Sequence, residues 1–284
     1  MSETQFVLDE MTARDTWRIF RIMAELVEGF DELSKIGPAV SMFGSARSTP
    51  DSEEYKLAEV IARKCAERGF AVITGGGPGI MEAGNKGALA AGGTSIGLNI
   101  QLPREQQGNR HQTVSVDFKY FFVRKLMFVK YAMAFIIMPG GFGSLDELFE
   151  ALTLIQTRRI KHFPLFLVDS KFWNPLLDWL RTDVIRRGFL TEAELDLITV
   201  VDDPDELVEQ IAWCDQEKCY LSDNGILSYP KRNGTVGAGV VIEEAQPGNT
   251  AVAKVVIEPG DKSNGDGGTV IIETTQNNSR EELL

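Results

Sequence analysis

The sequence predicts an α/β protein: a doubly wound parallel β-sheet with helices on both faces. Three observations predict it. Short β-prone apolar runs alternate with helical patterns over residues 38–218. The runs are apolar at nearly every position, as strands covered on both faces must be. Glycine-rich turns follow strand ends, where sheets of this kind bind their ligands.

The elements follow in order. Residues 15–36 carry Phe20, Met23, Val27 and Phe30 at spacings of three and four, and Gly37-Pro38 ends the run; this spacing predicts an amphipathic helix. Strands are predicted at 39–43, 70–74, 94–100, 134–138 and 164–168, with a short one at 199–201. Helices are predicted near 52–68, 79–91, 119–132, 144–158, 173–187 and 204–217, with Gly69 and Gly188 where helix C-caps belong. Three units result: an N-terminal helical extension (1–37), a Rossmann-like nucleotide-binding catalytic domain (38–218) and a tail (219–284). The tail is rich in Gly, Asn and Asp and repeats a β-prone tetrapeptide: VVIE at 240 and 255, VIIE at 270. A small three-stranded appendage and a chain without fixed structure both fit it.

Composition narrows the partners. The 284 residues carry a net charge of −12. A surface so acidic argues against nucleic acid or an anionic membrane, while a few local cations can still hold a small anion. No apolar run approaches the roughly 20 residues of a membrane span. Cys65, Cys214 and Cys219 are odd in number and no signal peptide precedes them, which predicts reduced thiols in the cytoplasm. With only His111 and His162, neither a His-rich metal site nor a Ser-His-Asp triad is expected, and no metal or cofactor is assigned.

Three turns at one sheet edge carry the candidate chemistry: FGSARS (43–48), TGGGPGIMEAGNKGA (74–88) and PGGFGSLDE (139–147). Glycines let a backbone approach a ligand closely, and a helix start offers unpaired N–H groups with partial positive charge. Together these describe a phosphate site. The Walker lysine pattern is absent and no turn reads G-x-G-x-x-G, so a dinucleotide site is not expected. Ser144 and Glu147 match the S-x-x-E capping box, in which Glu147 merely reaches back to the Ser144 amide. The alternative is a carboxylate beside the ligand. Like charges ~4 Å apart cost about 4 kcal/mol at a near-surface dielectric, and a helix dipole returns about 1–2 kcal/mol. Such a carboxylate needs cations nearby, or must face another part of the ligand, such as the ribose. Arg124 and Lys125, in FFVRKLMF (121–128), are available cations on a helix whose apolar flanks predict burial. Asn85 and Lys86 are expected on an exposed helix turn, and LPREQQGNRHQ (102–112) as a surface connection or a cover for the base.

PGGFGSLDE, with its upstream Arg-Lys pair and GGGPGIMEAGNKGA, resembles the LOG ("lonely guy") family, phosphoribohydrolases once mislabelled lysine decarboxylases. The resemblance spans roughly 38–218, with Ser144 where the family usually has Thr. It implies an enzyme hydrolysing the N-glycosidic bond of a nucleoside 5′-monophosphate, either AMP (an AMP nucleosidase activity) or a cytokinin riboside 5′-monophosphate, without a cofactor. It implies Arg124 and Glu147 as catalytic residues. It implies that Gly75, Gly76, Gly77, Gly140, Gly141 and Gly143, with Ser144, hold the 5′-phosphate; Ser45, Gly79, Glu82, Lys125 and Pro139, from the same turns and the cation pair, complete the expected phosphate and nucleotide site. It further implies a homodimer or higher homo-oligomer with the site near the subunit interface. The competing reading is a non-catalytic nucleotide-binding or carrier protein of the same fold. A pyridoxal-phosphate decarboxylase is disfavoured, because no lysine is placed by motif for a Schiff base.

Overall fold

Strand residues that are apolar at consecutive positions must bury both faces, and they do so here in one seven-stranded sheet. The computed structural model describes residues 13–101, 108–157, 159–160 and 163–217, with side chains from Trp17 onward. The tail repeats, Cys219, His162 and the first part of the 102–112 loop lie outside the described residues. The strands are β1 (Ala39–Phe43), β2 (Ala71–Thr74), β3 (Ser95–Ile100), β4 (Val114–Phe118), β5 (Ala132–Ile137), β6 (Leu165–Leu167) and β7 (Ile198–Val200). Their spatial order is β4-β3-β2-β1-β5-β6-β7, with every pairing parallel. The chain winds outward from β1 to β4, then crosses to the other side of β1 to lay down β5. The point of reversal is therefore between β1 and β5, where Met42 pairs with Ile136 and Phe43 with Ile137.

The helices are α1 (Ala13–Leu33), α2 (Glu53–Glu67), α3 (Ile80–Ala90), α4 (Phe121–Tyr131), α5 (Phe142–Gln156), α6 (Ser170–Trp179), a short α7 (Glu192–Leu195) and α8 (Pro204–Glu217). Side-chain alternation along β1 divides the core. Ala39 and Phe43 join Phe118, Phe128, Phe135 and Trp173 on one face, and Val40 and Met42 join Ile61, Ile80, Phe166 and Leu207 on the other. Gly69 and Gly188, with φ of 89° and 76°, adopt the left-handed conformation that closes a helix.

Several expectations change. β4 was not foreseen: its pattern of half-buried, exposed and buried residues belongs to an edge strand, not a two-sided one. The helix expected over 173–187 starts at Ser170 and passes at Leu180 into a π-helical turn ending at Ile185. On α1, Phe20, Met23 and Val27 are exposed, while Ile22, Leu26, Phe30 and Leu33 pack on the core. α4 is likewise buried on one face only, with Phe121, Phe122 and Leu126 exposed. The two helices are joined: the Lys119 and Tyr120 amides donate to the Glu25 carboxylate, and the Tyr131 hydroxyl donates to the Phe30 carbonyl. Cys65 is a buried free thiol, but Cys214 is disulfide-bonded, which corrects the expectation of reduced thiols there. No helix among the described residues is long and apolar enough to cross a membrane.

Candidate active site

The turns after β1, β2 and β5 meet at the carboxyl edge of the sheet, and Ser45 ties them together. Its amide donates to the Pro139 carbonyl at 2.9 Å, and its own carbonyl accepts from the Ile80 amide at 3.0 Å. Its hydroxyl accepts from the Arg47 amide, so within this structure Ser45 organises the turns.

The β2 turn is held from behind. The Gly75 carbonyl accepts from Arg124 Nη2 at 3.1 Å, and a Cβ on Gly75 would collide with that guanidinium. Gly76 has φ +71° and Gly79 φ +68°, both in the left-handed region. The Gly76 amide donates to Thr74 Oγ1, whose hydroxyl donates to Asn85 Oδ1. Asn85 is fully buried, which corrects its expected exposure. It lies on the same stripe of α3 as Ala83, Gly84, Gly87 and Ala88, which packs inward. Its amide donates to Ser95 Oγ and the Ile96 carbonyl, as a buried polar group must. Lys86 pairs with Glu59 at 2.8 Å. Glu82, in the first turn of α3, lies 3.7 Å from His111 Nε2 and makes no cap.

The β5 turn differs. Gly141 is the N-cap of α5 and Phe142 its first residue, so Ser144 stands inside the first turn. The capping-box reading is thereby corrected: the helix begins three residues earlier, and neither Ser144 nor Glu147 caps it. The Ser144 and Leu145 amides donate to the Gly141 carbonyl, so those of Phe142 and Gly143 precede the first helical bond. Gly140 must be glycine because a Cβ there would strike Ser144 Oγ. A Cβ on Gly141 or Gly143 meets nothing within 4 Å.

Ser144, Leu148, Ala151 and Ile155 form the buried stripe of α5. Glu147 lies three residues after Ser144 and four before Ala151, so helical geometry carries its carboxylate to the rim of that stripe. The side chain is 12% exposed. Its nearest cation is Lys125, with Nζ 3.4 Å from Glu147 Oε2, 2.9 Å from Asp146 and 2.7 Å from Glu150. The contact to Glu147 lacks hydrogen-bond alignment, so Oε2 is buried with no hydrogen-bond partner. Burial pushes the Glu147 carboxyl up to about 7; Lys125 opposes the rise, and Glu150 and Asp146 add to it.

Arg124 bonds backbone carbonyls and not Glu147. Its Nε donates to the Leu98 carbonyl at 2.7 Å, and its guanidinium lies 5.3 Å from the centre of the Phe128 ring. Burial lowers it to about 10, and Glu147 acts against that shift. Burial alone would lower Lys125, but its bonds to Glu150 and Asp146 and the charges of Glu147 and Glu150 outweigh it and take it to about 12. The Arg-Lys pair thus divides its work: Arg124 spans the β2 turn and the end of β3, and Lys125 faces the carboxylates of α5.

Sequence reasoning missed a third group. Asn109, in the loop after β3, donates from its backbone amide to the Gly76 carbonyl at 2.7 Å. Its side-chain amide donates to the carbonyls of Gly76 and Gly77 and to Asn85 Oδ1. Gln112 Nε2 also donates to the Gly76 carbonyl. Residues 108–112 are therefore not a plain surface connection. The only signal was the density of amide side chains after β3, which does not say what they bond.

Comparison with known proteins bears on this geometry. The family described as "possible lysine decarboxylase" matches residues 81–211, a stretch that includes Arg124, Lys125 and the whole β5 turn. Rice LOG, a cytokinin riboside 5′-monophosphate phosphoribohydrolase, is 30% identical over 169 residues, covering 58% of this chain and 68% of that protein.

The chain belongs to the LOG family.

The cytokinin riboside 5′-monophosphate phosphoribohydrolase of Rhodococcoides fascians is 27% identical to this LOG-family chain over 185 residues, covering 58% of the chain and 91% of that protein. Rice LOGL5 is 30% identical over 159 residues, covering 54% of the chain; only 63% of LOGL5 is spanned. In the LOG-family chain the fold is a seven-stranded parallel α/β sheet with its glycine turns at the point of strand reversal.

Proposed function

We propose that residues 38–218 hydrolyse the N-glycosidic bond of a nucleoside 5′-monophosphate, AMP or a cytokinin riboside 5′-monophosphate, releasing free base and ribose 5-phosphate. The observation that carries this reading is Glu147: a buried carboxylate whose Oε2 pairs with Lys125 at 3.4 Å yet accepts no hydrogen bond, in the second turn of a helix with a glycine N-cap. The amides of Phe142 and Gly143 and the helix dipole suit the 5′-phosphate. Cleavage breaks the bond between ribose C1′ and the base nitrogen, and the electron pair leaves with the base. Positive charge grows on the ribose, and an ionised Glu147 stabilises it. Glu147 orients the attacking water and takes its proton as the water oxygen bonds C1′; the departing base is protonated in turn. Lys125 favours the ionised form of Glu147 against its burial, and Arg124 supplies positive charge at the β2 turn.

The test is a chromatographic base-release assay across several nucleosides and their 5′-monophosphates. The reading expects base from the monophosphates and none from the unphosphorylated nucleosides. Equal cleavage of both would sink the phosphate anchor. Thermal stabilisation by nucleotide with no base release over hours would instead favour a carrier.

A second copy of the chain is proposed to dock on the apolar faces of α1 and α4, where Trp17, Phe20, Met23, Phe121, Phe122 and Leu126 are exposed. Light scattering of wild type and F122D tests it, a dimer that dissociates in the variant being the expected outcome. The proposed compartment is the cytoplasm, tested by fractionation.

A further inference from the structure

A phosphate-binding glycine loop works only if its N–H groups, not its carbonyls, face the anion. Among the described residues, every carbonyl of the Gly75-Gly76-Gly77 run has a donor, and the donors lie on the β3 side. Arg124 Nη2 serves Gly75 at 3.1 Å. The Asn109 backbone amide serves Gly76 at 2.7 Å, its side-chain amide at 3.1 Å and Gln112 at 3.0 Å. The Asn109 side chain serves Gly77 at 3.0 Å.

Peptide planarity converts this into a direction. Across a trans peptide the carbonyl of one residue and the N–H of the next point opposite ways. The Gly76 carbonyl points toward Asn109 and Gln112. The Gly77 N–H therefore points away from them, to the β1 side of β2. That is where Ser45 lies against α3 and is bonded to the Pro139 turn. The Gly76 N–H is already given to Thr74 Oγ1, and Pro78 has none. The Gly77 N–H has no acceptor among the described residues.

Asn109 is itself fixed. Its side-chain amide also donates to Asn85 Oδ1 at 2.8 Å, and buried Asn85 is pinned by Thr74, Ser95 and Ile96. A polar chain thus runs from the core of α3 to the outer side of the β2 turn. We propose that Asn109 is a positioning residue: it turns the peptide between Gly76 and Gly77 so that the Gly77 amide faces the anionic end of the ligand. This rests on the phosphate-anchor reading above and adds to it a residue outside the glycine motifs, 33 positions from Gly76.

The test is calorimetric binding of ribose 5-phosphate and, separately, of adenine to wild type, N109A, N109S and Q112A, with a melting curve for each. N109A is expected to weaken ribose 5-phosphate by about tenfold, the scale of one lost hydrogen bond to a charged group, and to leave adenine unchanged. N109S, which keeps one donor, should lose less, and Q112A least, because the Asn109 side chain still serves the Gly76 and Gly77 carbonyls and stays tied to Asn85. In steady state the N109A loss should fall on KM, not on kcat. Unchanged ribose 5-phosphate affinity in N109A overturns the proposal, as does equal weakening of both ligands, which marks a collapsed site. If N109A does not fold, the same two outcomes are read in N109S. Wild type that binds adenine but not ribose 5-phosphate overturns the phosphate anchor itself, and the proposal with it.

Discussion

The two glycine turns of this site look alike in sequence and differ in physics. In the β2 turn the glycines are dictated by their surroundings. Gly76 and Gly79 have positive φ, and a Cβ on Gly75, Gly76 or Gly79 would collide with Arg124, Asn99 or the Ser45 carbonyl. In the β5 turn Gly141 and Gly143 have neither constraint; their backbones are ordinary and the space around them is open. The first turn is a braced wall. The second is an open helix start whose smallness serves access, and it leads to Glu147, whose Oε2 is, among the described residues, the one buried carboxylate oxygen without a hydrogen bond. A motif of glycines therefore does not say whether fold or ligand demands them.

This contrast yields predictions of opposite sign in stability and activity. The largest effect is expected at Glu147. E147Q should lower turnover roughly 10³-fold, the scale of a lost general base, while nucleotide binding persists. The same change should stabilise the protein at high pH. Glu147 has a folded pKa of about 7, above its ordinary 4.5, so its folded form favours the proton. It therefore costs the fold nothing below 4.5 and destabilises it increasingly as pH rises to about 7. Melting curves at pH 4 and pH 8 check this: E147Q should match wild type at the lower pH and melt higher at the upper one. A lower melting temperature at pH 8 would break the contrast.

Next comes the braced turn. G76A puts a side chain into a positive-φ position and against Asn99, costing about 3 kcal/mol and lowering the melting temperature by about 10 °C. Smaller again is K125M. With the ammonium gone, Glu147 keeps its burial and its like-charged neighbours Asp146 and Glu150, with Arg124 the remaining cation close by in α4. The limb of kcat/KM that rises as Glu147 ionises, near pH 7 in wild type, should move up by about one unit. K125R should restore it in part. An unmoved limb would mean that Glu147 is not the titrating base. The smallest effect is at Gly143: G143A should raise KM severalfold while the melting temperature holds or rises, since Ala favours a helix by up to about 1 kcal/mol. If it instead destabilises like G76A, the two turns are not different in kind.

Much of this was legible beforehand. Strands β1, β2, β3, β5, β6 and β7 announced themselves as mostly apolar, β-prone runs, whereas β4 did not. Its Ser115 and Asp117 face solvent at the sheet edge, so its sequence, VSVDF, lacks the run that marks a two-sided strand. Arg124, Lys125 and Glu147 were legible as residue types beside a glycine turn, but their partners were not. Whether Glu147 caps a helix or faces a ligand depends on where α5 begins, and Ser144 and Gly141 are both acceptable N-caps. The stripe on α1 was misjudged for a related reason: periodicity reveals an apolar face without saying what covers it.

By itself the sequence determined what short-range sterics determine: the alternation of strands and helices, the glycine turns at strand ends, and the acid and two cations placed near them. Tertiary structure alone decided that Lys125 and not Arg124 meets Glu147, that Asn85 is a buried hub, and that Asn109 grips a carbonyl 33 residues away. The reason is physical. Backbone preferences act over a few residues, but a hydrogen bond or an ion pair depends on ångström-scale separation, which is set by sheet register, helix rotation and the path of distant loops.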